Sequence, residues 1–201
     1  MLGTTGSGKT TFARELLSRL SQFYPSVPMY ILDSKARGDF KEWYPVANLW
    51  VSEEVPKPIP RGLQIWQPGI DDQFAYDAWF EQILRLDGPA MLLIDEISSI
   101  GRGKGNDAPP GFQRLLKQGR AGFKMVVNCS QEMAGTPRQI KTQTTHIARF
   151  RLAGDFDPAS ANRLMGRENR ASEPRSKYGF LYARADNLGK IAEYGSYKDF
   201  F

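Results

Sequence analysis

The sequence has few of the residues that cross-link extracellular proteins or bind structural metals. It contains one cysteine, Cys129, and one histidine, His146, and we predict a structural role for both. A single cysteine excludes an internal disulfide framework and a cysteine-based zinc cluster. No apolar run approaches the roughly 20 residues that span a bilayer, and no charged-then-apolar signal peptide opens the chain. We therefore expect an intracellular protein without a membrane span.

Internal repeats, low-complexity tracts and interdomain linkers are also missing from the sequence. Hydrophobic residues make up 41% and charged residues 24% of the chain, which is typical of a soluble globular protein. A length of 201 residues suits one domain with a sizeable core, and we predict a single domain over residues 1–201. The net charge of +5 favours an acidic partner such as nucleic acid, but only weakly.

Helical and strand-like patterns alternate along the chain. Apolar residues at helical spacing, with caps and turns, predict helices over residues 10–23, 74–86, 112–118, 137–142 and 157–165. Apolar or alternating runs predict strands over residues 29–32, 46–51, 63–66, 90–94, 125–129 and 147–152, and a C-terminal hairpin over 180–183 and 191–194. Residues 98–111 are predicted to form a loop. This order indicates an α/β fold with a mostly parallel central sheet flanked by helices.

A glycine-rich segment at the start of the chain matches the phosphate-binding pattern G-x-x-x-x-G-K-[ST] at every fixed position. Its glycines let backbone N–H groups point at phosphate oxygens, and the following helix adds its positive N-terminal end. In this pattern the lysine reaches the β- and γ-phosphates and the final hydroxyl holds Mg²⁺. The predicted ATP-binding residues are Gly3, Thr4, Thr5, Gly6, Ser7, Gly8, Lys9, Thr10 and Thr11.

Only Met1 and Leu2 precede this phosphate-binding loop, or P-loop. Such loops normally follow a buried strand. We therefore expect either a very short first strand or residues missing upstream of Met1.

An acidic pair follows the most apolar of the predicted strands, residues 90–94. Asp95 is predicted to join Thr10 in holding Mg²⁺, and Glu96 to polarise the water that attacks the γ-phosphate. A glutamate that activates water favours ATP hydrolysis over kinase chemistry, because a kinase must exclude water. Together with the P-loop, the pair predicts a P-loop ATPase.

Polar residues also follow two other predicted strands. Gln131, just beyond strand 125–129, is the candidate sensor of the γ-phosphate, and the alternative is a glutamine that only caps the strand. The Asp-Ser-Lys segment at residues 33–35 follows strand 29–32. It either orients the attacking water or the metal shell, or forms a turn with a solvated lysine.

The run Gln-Gly-Arg-Ala-Gly-Phe-Lys at residues 118–124, followed by an apolar strand that ends in Ser130-Gln131, resembles the FtsK–HerA superfamily of DNA-pumping ATPases. That family has a G-R-x-x-G segment before such a strand. Residues 135–152 look like its next helix and strand, and segment 33–35 lies where the family often has Asp-x-Lys. The resemblance covers most of residues 3–152.

The resemblance implies a RecA-like P-loop NTPase of the additional-strand, catalytic-glutamate class. It also implies assembly into a homo-oligomeric ring, pentameric or hexameric, that uses ATP and Mg²⁺ to move along double-stranded DNA of any sequence. Arg120 lies where relatives carry an arginine finger, a guanidinium that acts on the nucleotide of the neighbouring subunit. The alternative is a solvent-facing arginine near a helix end, with Arg138 and Arg149 as other finger candidates.

Cellular members of the superfamily carry additional domains that do not fit into 201 residues. The chain therefore looks most like the genome-packaging ATPases of membrane-containing double-stranded DNA viruses. This likeness implies a capsid vertex as a partner and a location in the host cytoplasm or in the virion. A motor for conjugation or filamentous-phage assembly is an alternative, and a small-molecule kinase or a nucleotide switch without turnover belongs to another class.

Two basic stretches are candidates for DNA contact, with a solvated surface as the alternative for each. The first is the glycine-rich segment at residues 99–106. The second comprises Arg163, Arg167, Arg170, Arg175 and Lys177.

Overall fold

A computed structural model describes residues 1–35, 38–69, 73–100, 107–131, 136–151, 174–187 and 190–201. Its central sheet consists of five parallel strands in the order β2-β3-β1-β4-β5. These strands are β1 (Met29–Leu32), β2 (Asn48–Val51), β3 (Leu63–Gln67), β4 (Ala90–Ile94) and β5 (Lys124–Asn128). Because all five run in one direction, their carboxyl ends share one edge of the sheet and their amino ends share the other.

Helices cover both faces of this sheet. They are α1 (Lys9–Phe23), α2 (Gln73–Leu84), α3 (Pro110–Gln118) and α4 (Arg138–Gln143). Leu17 of α1 lies in one core cluster with Leu93 of β4, whereas Trp79 of α2 and Phe112 of α3 lie in another with Leu92. Since consecutive strand residues point to opposite faces, a strand covered on both sides must be apolar throughout, as β4 is.

A second sheet is antiparallel and has the order β6-β7-β8. Its strands are β6 (His146–Phe150), β7 (Phe180–Arg184) and β8 (Ala192–Tyr194). The predicted C-terminal hairpin corresponds to β7 and β8, and β6 adds a third strand to it. Aromatic rings of this sheet, including Phe150 and Phe180, pack on Phe12 of α1 and thereby fix the sheet beside the P-loop.

Leu2 links the two sheets, as expected of a very short first strand. It forms parallel bridges to Ser130 on one side and to Arg149 of β6 on the other. Its N–H donates to Ala148 O at 2.9 Å, and its carbonyl accepts from Phe150 N at 2.7 Å. β5 therefore lies between Leu2 and β4. A strand in this position is the additional strand of the predicted fold class. The predicted mostly parallel α/β architecture is confirmed.

Several element boundaries differ from the sequence predictions for local reasons. β2 begins at Asn48 rather than residue 46, because Tyr44–Val46 forms a 3₁₀ turn. The predicted loop 98–111 contains the end of a 3₁₀ turn, Ile97–Ser99, and α3 begins inside it because Pro110 is favourable at the first helical position.

Other predictions fall on parts of the chain that the structure does not describe. The predicted helix 157–165, most of segment 99–106 and three of the basic residues, Arg163, Arg167 and Arg170, lie outside the described residues. Among the described helices, none combines the length and the apolar character that a membrane crossing requires.

Candidate nucleotide-binding site

The P-loop lies at the carboxyl edge of the central sheet and leads directly into α1. Gly8 has a left-handed conformation with φ of 98°, which glycine adopts without strain, and it is the N-cap of the helix. No side chain caps the first turn of α1, so its N–H groups remain available to an anion. At the other end of the loop, a Cβ on Gly3 would lie 2.6 Å from the Cβ of Phe150. Only glycine fits against β6 there.

Lys9 extends across the loop rather than into solvent. Its ammonium donates to the carbonyl of Thr4 at 2.8 Å, and the residue is buried. Burial lowers the pKa of Lys9, and the nearby carboxylates of Glu96 and Asp95 partly oppose that shift. A buried ammonium with a single carbonyl partner retains donors for further oxygen ligands, such as those of a triphosphate.

Thr10 and Asp95 meet although 85 residues separate them in the sequence. The Thr10 hydroxyl donates to Asp95 Oδ1 at 3.0 Å, and Asp95 is buried at the end of β4. Burial raises the pKa of Asp95 to about 6, and the Thr10 hydrogen bond opposes this shift. A buried carboxylate beside a hydroxyl is a suitable pair of oxygen ligands for Mg²⁺, which commonly takes one or two protein ligands together with phosphates and waters. No group of three metal-binding side chains occurs among the described residues, and Mg²⁺ held with phosphate does not need one.

Glu96 lies next to Asp95 and is held from three sides. Lys35 Nζ lies 2.6 Å from its Oε2 atom, the Ser98 hydroxyl donates to Oε1 at 2.6 Å, and the Gln131 backbone N–H donates to Oε1 at 3.4 Å. The Lys35 side chain is only 20% exposed. It is therefore not the solvated lysine of a surface turn.

The other residues of segment 33–35 have structural contacts. Asp33 is buried and accepts a hydrogen bond from Gln67 Nε2 at 2.7 Å, and the same amide lies 2.6 Å from the Tyr44 hydroxyl. Ser34 accepts a hydrogen bond from the Ser99 hydroxyl at 2.9 Å. These bonds fix the end of β1, from which Lys35 reaches Glu96.

One cleft collects most of the predicted site residues. Its lining comprises Thr5, Gly6, Gly8, Lys9, Thr10, Thr11, Lys35, Asp39, Asp95, Glu96 and Gln131. Gly3, Thr4 and Ser7 of the predicted set do not line it. Gly3 and Thr4 instead bond through their backbone N–H groups to Ser130 O and Arg151 O, at 3.1 and 3.0 Å. These two bonds attach the start of the P-loop to the residues that follow β5 and β6.

Sequence reasoning missed one residue of this cleft, Asp39, and the partner of another, Lys35. Asp39 follows no apolar strand and belongs to no recognised pattern, so the sequence carries no signal for it. Lys35 was recognised as a residue at a strand end, but nothing local identifies Glu96 as its partner, 61 residues away.

The three arginine candidates occupy different environments. Arg120 is exposed in the turn before β5, at the amino edge of the sheet, a strand length of about 17 Å from the carboxyl edge. Arg138 is exposed at the start of α4. Arg149 is 1% exposed within β6, so a neighbouring subunit cannot reach it, and it is excluded as a finger candidate.

The fold is similar to that of solved viral genome-packaging NTPases. The NTPase B204 from Sulfolobus turreted icosahedral virus 2, in complex with ATP-gammaS, has a TM-score of 0.72 and 14% sequence identity, covering 97% of this chain and 94% of that chain. B204 of Sulfolobus turreted icosahedral virus, described as the DNA-packaging ATPase, has a TM-score of 0.74 and 11% identity, with coverage of 97% and 95%. The chain matches no family profile and no curated protein sequence.

At these identities the likeness establishes the fold alone. It confirms a P-loop NTPase architecture and the predicted structural resemblance to genome-packaging ATPases of double-stranded DNA viruses.

Proposed function

We propose that this chain is an ATP-hydrolysing motor subunit that moves double-stranded DNA during packaging of a viral genome. The observation that carries the proposal is the convergence of Lys9, Thr10, Asp95 and Glu96 on one cleft. The fold shared with an NTPase named for genome packaging supports the choice of task. A pentameric or hexameric ring, a capsid vertex as partner, and action in the host cytoplasm or on the virion belong to the same proposal.

ATP binds with its phosphates along the P-loop. The uncapped first turn of α1 and the Lys9 ammonium contact the β- and γ-phosphates. Thr10 and Asp95 are the residues that would hold Mg²⁺, and the bound ion would neutralise charge on these phosphates. The negative charge of the bound phosphates also compensates for the burial of the Lys9 ammonium, and the positive charge of Mg²⁺ would compensate for the burial of the Asp95 carboxylate.

Hydrolysis then requires a water in line with the γ-phosphorus. Glu96 accepts a proton from this water as its oxygen attacks phosphorus, and the bond to the β–γ bridging oxygen breaks with its electron pair leaving on ADP. Lys35 and Ser98 orient the Glu96 carboxylate for this task. Gln131 lines the cleft beside Glu96, and its side chain detects the γ-phosphate.

Arg120 acts on the nucleotide of a neighbouring copy. Its distance from the cleft of its own chain precludes a role there, and its exposure leaves it available to another subunit. A guanidinium stabilises the charge on the transferred phosphoryl group, where it adds to Lys9.

A small-molecule kinase is the main alternative from another class. The position of Glu96 favours hydrolysis, because a carboxylate held at the cleft by three donors is suited to activating water. Analysis of the products separates the two functions, since hydrolysis releases free phosphate and a kinase yields a phosphorylated acceptor.

Motors for conjugation or filamentous-phage assembly would use the same site. Neighbouring genes distinguish these tasks: capsid genes indicate packaging, and relaxase genes indicate conjugation.

The decisive experiment measures phosphate release with and without duplex DNA, alongside the mass of the assembled particle. We expect DNA of any sequence to stimulate ATP hydrolysis, and the stimulation to fall steeply between about 50 and 200 mM salt, because phosphate contacts release counterions. Glu96→Gln is the matched control, since it keeps the size of the side chain and should bind ATP without hydrolysing it. A hydrolysis rate that stays constant at all DNA concentrations, in assembled protein, would contradict the proposal.

A further inference from the structure

Phe123 has an unusual backbone conformation. Among the described residues, it is the only residue other than glycine with a positive φ, at 56°. The left-handed region is unfavourable for a bulky side chain, and a glycine would occupy it without strain. The conformation therefore has a cost that the fold itself must offset.

The Phe123 side chain contributes little to the stability of its own chain. It is 77% exposed, and it has no ring contact with any other residue in the described part of the chain. Phe80 and Phe112 are fully buried in the core, whereas Phe23 and Phe74 are at least as exposed as Phe123 but lie in helices, without its backbone strain. An exposed aromatic residue in a strained conformation indicates a role outside the monomer.

The turn around Phe123 is held firmly by the rest of the fold. The Phe123 N–H donates to Arg120 O at 3.2 Å, and the Lys124 N–H donates to Gly119 O at 2.8 Å. The Lys124 ammonium crosses the amino edge and donates to Leu86 O at 2.7 Å. The backbone of this turn is thus held in place, so little backbone ordering remains to be done when a partner binds.

Arg120 lies on the same turn, three residues before Phe123. It is exposed and forms no ion pair or side-chain hydrogen bond with any residue that the structure describes. The turn therefore combines an apolar ring with an unneutralised cation. The cleft at the opposite edge of the sheet has the complementary charge, because the carboxylates of Asp39, Asp95 and Glu96 outnumber the ammonium groups of Lys9 and Lys35 in its lining, and a triphosphate would add further negative charge.

We propose that Phe123 is the apolar anchor of a contact with a second copy of this chain, and that it positions Arg120 toward the nucleotide cleft of that copy. The two contacting surfaces lie on opposite edges of the sheet, so the contact is head-to-tail. Such contacts generate rings when the rotation closes. The inference rests on the proposed function, because it assumes that the cleft binds nucleotide and that Arg120 acts on the nucleotide of a neighbouring copy.

Substitution of Phe123 by glycine or asparagine tests this proposal, since both residues tolerate the left-handed conformation. With Mg·ATP and duplex DNA present, we expect self-association of Phe123→Gly and Phe123→Asn to weaken at least about tenfold. Their thermal unfolding temperature should be no lower than that of the unmodified protein, because the strain is relieved. Val46→Ala is the control: Val46 is 77% exposed just before β2, which lies at the opposite side of the sheet from β5, and its loss should leave association unchanged.

A second measurement separates the anchor from the arginine. The hydrolysis rate of Phe123→Gly should recover as its concentration is raised, because its Arg120 is intact, whereas Arg120→Ala should not recover. Unchanged association of both Phe123 variants, loss of association together with folding, or an equal loss in Val46→Ala would each overturn the proposal. Titration of the unmodified protein with Mg·ATP tests the proposed function independently. If the protein binds Mg·ATP normally but the association of the Phe123 variants is unchanged, only the role of Phe123 as an anchor is rejected.

Discussion

The two edges of the central sheet differ in how their functional side chains are held. At the carboxyl edge, Lys9, Asp95 and Glu96 are buried and bonded to other residues of the chain. At the amino edge, Arg120 and Phe123 are exposed, with no side-chain partner in the described part of the chain. One edge therefore forms a nearly complete site within a single copy, whereas the other has side chains that only a partner can engage.

The direction of the helices explains part of this difference. Each crossover helix begins near the carboxyl edge and ends near the amino edge, so the carboxyl edge has the positive helix ends that attract anions. The amino edge has the negative ends, where cations are favourable: Lys117 lies in the last turn of α3, and Arg120 follows it. The phosphate site and the free arginine thus lie on opposite edges of one sheet.

The largest expected effect on nucleotide binding comes from removing the lysine at the carboxyl edge. Lys9→Ala should raise the dissociation constant for Mg·ATP at least about 100-fold, because it removes charge-assisted hydrogen bonds to the phosphates. Isothermal titration measures the change. Lys117→Ala removes an exposed lysine at the amino edge and should bind normally. Similar binding losses in the two variants would remove the distinction between the edges.

Arg120→Ala should have the opposite profile, with normal binding and impaired chemistry. We expect the rate of hydrolysis to fall on the order of 10³-fold, the lower range for loss of an arginine finger. Adding this variant to unmodified protein should also lower the hydrolysis rate per unmodified subunit. The reason is that an unmodified subunit next to an Arg120→Ala subunit receives no guanidinium from that neighbour. A rate that is strictly proportional to the amount of unmodified protein would contradict action between subunits.

The stability of the folded protein should depend on pH through Asp95, which lies at the carboxyl edge of the sheet. Its pKa of about 6 in the folded protein exceeds the ordinary value of 3.8, so the metal-free folded state binds this proton more tightly than the unfolded state does. The contribution of Asp95 to stability is therefore present below pH 3.8 and is lost as the pH rises through 6.

Metal binding has the opposite dependence on pH, because it requires the carboxylate. The affinity for Mg·ATP should fall about tenfold per unit below pH 6, beyond the change seen in Asp95→Asn. Titrations of both proteins between pH 5 and 8 measure this difference, and identical pH profiles would contradict the role of Asp95.

The smallest effect concerns the packing of the turn at the amino edge. A Cβ on Gly119 would lie 2.4 Å from Leu115 O, whereas the nearest atom to a Cβ on Gly122 is Lys124 Cε at 3.6 Å. Gly119→Ala should lower the free energy of unfolding by about 1–3 kcal/mol through overpacking, and Gly122→Ala should change it by less than about 0.5 kcal/mol. Urea denaturation measures both. Equal values would show that the turn is less tightly packed than the structure indicates.

Local patterns predicted much of the site because its chemistry depends on short segments. The P-loop needs glycines and a lysine at fixed spacing, and an acidic residue after a wholly apolar strand must lie at the carboxyl edge of a parallel sheet. The β7–β8 hairpin was also visible in its alternation. A very short first strand was one of two expectations for the residues before the P-loop, but the two neighbours of Leu2, β5 and β6, are distant in sequence and no local pattern identifies them.

Local sequence patterns could not predict the contacts that hold the side chains of the site in place. The pairing of Lys35 with Glu96, the presence of Asp39 in the cleft and the burial of Arg149 each depend on residues far apart in the chain. Arg149 shows the limit most clearly. As a basic residue in a predicted strand it was a candidate for an arginine finger, yet it is buried within β6.

The sequence by itself determined the kind of chemistry, since a phosphate loop, an acidic pair and their order along the chain are encoded in contiguous residues. Only the tertiary structure decided which partner holds Glu96, which arginine a neighbour can reach, and that Phe123 is exposed in a left-handed conformation. The physical reason is that residue type and spacing fix local backbone geometry, whereas burial and pairing depend on which strands meet across the sheet.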